Sequence, residues 1–164
     1  MPSVDDGRYR LRLYGEMDYD AVLAIFRNNT PHFFAPSEID EFIAFLRAPA
    51  SECVVATSAA GVVVGFGAAY CRSAIEGGLA WSMVHRGWHR HGIGRALLDA
   101  RIARRWALSM TQIRVQTSQH GAGFFAQADF AEVAVTQDGF APGVDHVTIL
   151  LQRTPHGVHA GTGG

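Results

Sequence analysis

The segment that most restricts this chain runs from Leu79 to Leu108 and reads LAWSMVHRGWHRHGIGRALLDARIARRWAL. An apolar run ending at Val84 breaks into a turn of histidine, arginine and glycine, and the turn opens into a long helical pattern. A strand that feeds a helix in this way predicts a crossover, and with it a parallel pair of strands inside a sheet. The same junction is a ready-made anion site. The first backbone N–H groups of a helix lack partners, and the aligned peptide dipoles add positive potential there. Arg86, Arg90 and Arg95 stand in or beside the turn, which therefore reads as a cradle for a pyrophosphate.

What the turn lacks narrows the anion. The chain contains no lysine, which excludes a Walker-type phosphate loop, a pyridoxal Schiff base and a lysine nucleophile. A dinucleotide fingerprint needs G-x-G-x-x-G, but Gly92-Ile93-Gly94 is followed three residues later by Leu97. The next strand also ends in Thr117 and Ser118, with no acidic residue for a ribose. His85, His89 and His91 have no carboxylate or cysteine beside them, and Arg86 and Arg90 would repel a cation, so no metal is expected. Past the turn, Arg101, Arg104 and Arg105 read as a solvated helix face. A net charge of −1 argues against nucleic acid as a partner.

At 164 residues the chain suits one domain, expected over residues 1–153, with a Gly/His-rich tail at 154–164 expected to be disordered. Residues 8–14 alternate as a first strand, and residues 17–27 carry a helical pattern with Asp18 as a cap. NNTPHFFAPSE is a loop, and Ser37 with Asp40 opens a second helix through Arg47. Residues 53–57 and 62–70 form a hairpin, residues 79–84 the fourth strand, and a helix then runs from Gly92 to about Leu108. A fifth strand at 113–117, a short helix at 122–128, and strands at 132–136 and 146–151 joined by the loop QDGFAPGVD complete the pattern. The fold class is α/β, an α+β mixed sheet of six to seven strands with the fourth and fifth parallel and helices on both faces. On the long helix, Ala96, Ala100, Ala103 and Ala107 make a small-residue face for the sheet. Leu98, Ile102 and Trp106 make a second apolar line, covered by the same chain or by a homodimer contact. Cys53 and Cys71 read as small apolar core residues. The longest apolar run contains three glycines and cannot span a bilayer, and the N-terminus has no apolar leader; no membrane association and a cytoplasmic location are the expectations.

The run Val84-His85-Arg86-Gly87-Trp88-His89-Arg90-His91-Gly92-Ile93-Gly94-Arg95-Ala96-Leu97-Leu98 resembles the acyl-CoA motif of the GNAT superfamily of N-acyltransferases. That motif is a strand valine, then [QR]-x-x-G-x-[GA] and a small-Leu-Leu helix. IRVQTSQHGAGFFAQADF, beginning at Ile113, is similar to the family's second motif, a strand followed by a helix with an aromatic pair and a terminal Phe. The family's order of elements extends from Tyr9 to Leu151. The resemblance implies a GNAT-like fold and an acetyltransferase with acetyl-CoA as co-substrate. It implies that the backbone of Met83 and Val84 pairs with the pantetheine arm as an added strand would. It also implies that N–H groups from Arg90 through His91, Gly92 and Gly94 to Arg95 hold the pyrophosphate. His89 occupies the usual Gln/Arg position and keeps a donor, and Ser118 stands where an Asn often meets the pantetheine arm. Phe125 falls where many members have a tyrosine that protonates the departing thiolate, and Asp129 replaces a common glycine. Because Phe125 cannot donate a proton, a catalytically weak acyl-CoA-binding module with a regulatory or sensing role is the alternative reading.

Acetyl transfer to an amine needs the free base. Deprotonating an alkylammonium with a pKa near 10.4 at pH 7 costs about 4–5 kcal/mol without assistance. Glu76 is the first candidate general base, His120 the second and Asp145 the third. The acceptor, a small amine, an amino-acid-like molecule or a peptide N-terminus, is expected among Phe33, Phe34, Tyr70, Trp81 and Phe140. Asp138 and Asp145 would attract its charge.

Overall fold

The computed structural model describes residues 7–30, 34–48 and 52–154. Phe33 and the tail beyond Thr154 lie outside them. Alternation makes β1 (Tyr9–Leu13), with Tyr9 and Leu11 buried and the arginines outside. Helices α1 (Tyr19–Asn28) and α2 (Ile39–Leu46) follow, then β2 (Glu52–Ser58), β3 (Val63–Cys71) and β4 (Glu76–Val84) as an antiparallel meander. A 3-10 turn at Arg86–Trp88 leads into α3 (Ile93–Ala107), which returns through β5 (Gln112–Thr117). The chain ends in α4 (Ala122–Ala126), β6 (Ala131–Ala141) and β7 (Val144–Gln152). The strands form one sheet in the order β1-β2-β3-β4-β5-β7-β6. Of its neighbouring pairs, β4 and β5 run parallel and the others antiparallel.

Helices cover both faces. Phe26 of α1 and Phe42 of α2 meet Phe66 and Met83 of the sheet, while Ile93 and Leu97 of α3 meet Val54 and Ala56 on the opposite face. Complete burial of a phenylalanine such as Phe26 or Phe42 contributes about 2–3 kcal/mol. Among the described residues no helix is long and apolar enough to cross a membrane.

Three local expectations are corrected. The second helix opens at Ile39 rather than at Ser37: Pro36–Glu38 is a 3-10 turn, and the Ala35 N–H before it donates to Oε2 of Glu38 at 2.6 Å. Asp18 precedes α1 but makes no side-chain cap there. Its carboxylate accepts the Gly15 N–H at 2.9 Å and both arms of Arg12 at 2.7 Å, and that guanidinium holds it below the usual carboxylate range. The stretch QDGFAPGVD belongs largely to a hairpin, β6 running to Ala141 and β7 starting at Val144. Asp side chains replace ladder bonds across its tip: Oδ1 of Asp138 accepts the Gly143 N–H, and Oδ1 of Asp145 accepts the Asp138 N–H.

The largest departure is the buried face of α3. Ala103 and Ala107 are exposed, whereas Ile93, Leu97, Leu98, Arg101 and Arg105 are buried. Arg101 and Arg105 are each 1% exposed, so of the three arginines assigned to solvent only Arg104 stays there. Glycines in the sheet make this possible. A Cβ on Gly67 would lie 2.6 Å from Cζ of Arg101, and one on Gly77 would lie 2.8 Å from Cδ of Arg105. Arg101 donates to the carbonyls of Leu97 and Ala68, each at 3.0 Å, and to Oγ of Ser82 at 2.8 Å. None of these partners is a carboxylate, and burial pushes the guanidinium down to about 10, which leaves it charged at neutral pH. Arg105 pairs with Glu52 and reaches Sγ of Cys71 at 3.5 Å. Leu98 is buried, and Ile102 and Trp106 pack half-buried on its cluster with Ile113 and Phe125.

The cysteines also divide. Cys53 is half-buried and burial pushes its thiol up to about 11, whereas Cys71 is exposed at the end of β3 rather than in the core. At pH 8 about one Cys53 in a thousand carries the reactive thiolate. Iodoacetamide at pH 8 is therefore expected to alkylate Cys71 and spare Cys53 in the native protein. Peptide mass spectrometry reads the ratio, and equal labelling would contradict the burial argument.

Candidate functional site

β4 and β5 stay paired only from Glu76/Gln112 to Leu79/Val115. Beyond that register β4 continues from Ala80 to Val84 without β5, so the sheet opens into a gap. Val84 stands on one lip, Thr117 and Ser118 on the other. A β-bulge marks the point of departure. Pairing with β3 shifts from Ala68/Ala80 to Phe66/Met83, which puts Trp81 and Ser82 together opposite Gly67. Trp81 has φ of +53°, a left-handed backbone that is strained for a residue of this size. Its ring packs among Phe26, Phe34, Phe42 and Phe45, with centroids 5.0 to 6.4 Å away. Phe34 and Trp81 therefore belong to a packed aromatic cluster.

Strand alternation separates Met83 from Val84. The His85 N–H donates to the Val64 carbonyl at 2.8 Å, so the adjacent pair Gly65/Val84 directs its backbone groups away from one another. Val84 faces the gap, while the backbone of Met83 is turned to Phe66 of β3. The Val84 carbonyl accepts from Nδ2 of Asn29 at 3.0 Å and lies 2.8 Å from Nε2 of His89. Its N–H is left directed into the gap. His89 thus acts inside the turn, clipping it to the strand.

The turn itself is concave, with several backbone N–H groups facing its hollow. Arg90 has φ of +66° and Gly92 of +78°, and two left-handed residues one apart fold successive N–H groups toward one side. Ala96 is the first residue of α3 to bond back, to the Gly92 carbonyl at 3.0 Å, so Ile93, Gly94 and Arg95 have N–H groups without helical partners. Space is available: a Cβ on Gly94 would meet nothing closer than Cζ of Phe124 at 3.6 Å, and one on Gly92 nothing within 4 Å. The side chain of Arg95 is engaged elsewhere, with Asp99 at 2.9 Å and the Gln127 carbonyl at 3.2 Å. Arg86 and Arg90 are exposed, and the ring of His91 lies 5.5 Å from that of Trp88. Phe125 sits in the core against Phe130, and it is the exposed Phe124 that borders Gly94.

On the second lip, Oγ of Ser118 accepts the His120 N–H at 3.2 Å, and the His120 side chain is exposed. Gln119 spans to the β6–β7 tip, donating to the Gly143 carbonyl and accepting the Asp145 N–H, both at 2.8 Å. Phe140 is exposed there, its ring tilted against that of His146 with centroids 4.7 Å apart. Two candidates are not brought to the open end. Glu76 heads β4 at the closed end, about 10 Å below the opening, where it accepts from Nε of Arg114 at 2.5 Å and sits 3.8 Å from Arg72. Tyr70 pairs with Gly78 near the same end, its ring lying where a Cβ on Gly78 would come within 2.3 Å. The pattern reading missed Asn28 and Asn29, which pin the turn to α1: Oδ1 of Asn28 accepts the Arg86 N–H at 2.7 Å. Two adjacent asparagines closing a helical pattern were the available signal.

Residues 49–132 match the model of the acetyltransferase (GNAT) domain, and the chain belongs to this family of acetyltransferases. Solved structures share the fold at low identity. An aminoglycoside 6'-N-acetyltransferase complexed with coenzyme A is 13% identical, with a TM-score of 0.75 over 90% of this chain and 98% of that one. Ard1 from Thermoplasma volcanium is 19% identical, with a TM-score of 0.74 over 90% and 99%. The yncA protein of Salmonella typhimurium, with its cofactor acetyl-CoA, is 18% identical, with a TM-score of 0.70 over 92% and 97%. No curated protein sequence matches the chain.

Proposed function

We propose that residues 1–153 form one N-acetyltransferase domain that passes the acetyl group of acetyl-CoA to a primary amine on a small-molecule or amino-acid-like acceptor. The observation that carries this reading is the unpaired stretch of β4 opening directly onto the unpaired N–H groups that begin α3. Fold neighbours hold coenzyme A or acetyl-CoA, and one is named for an aminoglycoside. The N–H groups between Arg90 and Arg95 would hold the pyrophosphate. The Val84 N–H and the Ser118 hydroxyl would meet the amides of the pantetheine arm, and a backbone N–H near Val84 would meet the oxyanion.

In the ternary complex the amine nitrogen attacks the thioester carbon, the C–S bond breaks, and the thiolate leaves. His120, exposed at the mouth of the gap, is the favoured base for the amine proton, with Asp145 beyond it on the hairpin. The ion pairs of Glu76 with Arg114 and Arg72 favour a structural role for that carboxylate. Water supplies the thiolate proton, because Phe125 has none to give. The test is thiol release from acetyl-CoA across a panel of amines. Amine-dependent release supports the reading, and tight binding with no turnover on any amine favours the binding module that Phe125 motivates. Failure to bind acetyl-CoA would sink both.

A further inference from the structure

Arg101 is a fully buried cation with no carboxylate among its hydrogen-bond partners, and such a group is costly unless its position serves something. Its partners lie around one feature. Oγ of Ser82 belongs to the β4 bulge, the Ala68 carbonyl belongs to β3 beside it, and the guanidinium lies over Gly67, the residue opposite the bulge. The bulge also holds the strained Trp81, two residues beyond the last β4–β5 pair. A planar fork with several donors bonds both strands at once from behind the sheet, which a single ammonium point charge cannot do.

We propose that Arg101 is a positioning residue for acyl transfer, clamping the Trp81–Ser82 bulge through Ser82 and Ala68 so that the open part of β4 presents its backbone to the acyl group. The proposal rests on the acyl-CoA reading of the gap. The clamp lies behind the strand and away from the turn at Arg90–Gly92, so it governs how the acetyl end of the ligand is held and leaves the pyrophosphate end alone.

Calorimetric titration of the full chain with CoA and, separately, with acetyl-CoA needs no knowledge of the acceptor. Ser82→Ala and Arg101→Lys are expected to weaken acetyl-CoA about tenfold while CoA affinity stays within about twofold of the parent. Ser82→Thr, which keeps the hydroxyl, is expected to restore acetyl-CoA binding. Because Arg101→Lys can fail to fold, Ser82→Ala carries the test, with its thermal unfolding recorded alongside. Equal weakening of both ligands, no weakening of either, or failure of Ser82→Thr to rescue would overturn the clamp while leaving the acyl-CoA reading in place. A parent protein that binds neither ligand overturns that reading, and the clamp's role with it.

Discussion

Gly67→Val is expected to destabilise the protein by about 3–5 kcal/mol, an effect on the scale of breaking a buried charge network. Even a Cβ at that position would stand 2.6 Å from Cζ of Arg101, 2.8 Å from Nε and 2.9 Å from Nη1, and valine adds two further methyl groups. The guanidinium cannot retreat to solvent, because Arg101 is buried along its whole length beneath the sheet. It must give up the Ala68 carbonyl, Ser82, or both, leaving charged donors unsatisfied in a medium of low dielectric. Urea unfolding of parent and variant measures the difference. A loss below about 1 kcal/mol would show that the sheet or the arginine relaxes, and that the glycine is not the reason the arginine fits.

The second large effect concerns the ligand rather than the fold. Gly92→Val is expected to weaken acetyl-CoA binding a hundredfold or more, because valine resists φ of +78° and the turn would rearrange. The rearrangement redirects the N–H groups aimed at the pyrophosphate. Stability should fall by only about 1–3 kcal/mol, the cost of backbone strain, since no atom lies within 4 Å of the added Cβ. Gly61→Val is the matched control. Gly61 has φ of +82° and equally open space, but lies in the β2–β3 turn away from the gap. It should cost similar stability and leave acetyl-CoA affinity unchanged, as calorimetry and thermal unfolding together would show. Unchanged affinity in Gly92→Val would remove the cradle assignment.

Element order was legible because glycine, proline and asparagine turn signals separated the apolar segments, short as several of them are. Val84 to Leu98 also carried its own geometry, since a strand, a left-handed turn and a helix start adjacent in sequence stay adjacent in space. The alanine stripe of α3 has helical spacing but is not the buried face, because arginine, ordinarily a solvent residue, takes positions on that face here. Leu97, Arg101 and Arg105 are four residues apart and share a helix face, and Gly65, Gly67 and Gly77 sit inside strands, where a missing side chain marks a close approach. Taken together, those spacings pointed to buried arginines. In the sequence Glu76 stands close to the strand that leads to the turn, and in the fold it is the first residue of β4. Along an extended strand, however, sequence separation is real distance, and its end of β4 is the closed one. The role of Gln119 was out of reach, because both of its partners, Gly143 and Asp145, are more than twenty residues away on a different hairpin.

That glutamine has a consequence for how any molecule enters the gap. Both ends of its amide are engaged by the hairpin tip, and two aspartates close the tip on itself. The rotamer freedom of this rim is therefore lost when the chain folds and need not be lost again at each encounter. An arriving molecule meets a preset shape on the β5 side. On the proposed acyl-CoA reading, changing the outline of the hairpin is expected to exchange which acceptors are turned over while acetyl-CoA affinity at the Gly92 turn stays unchanged.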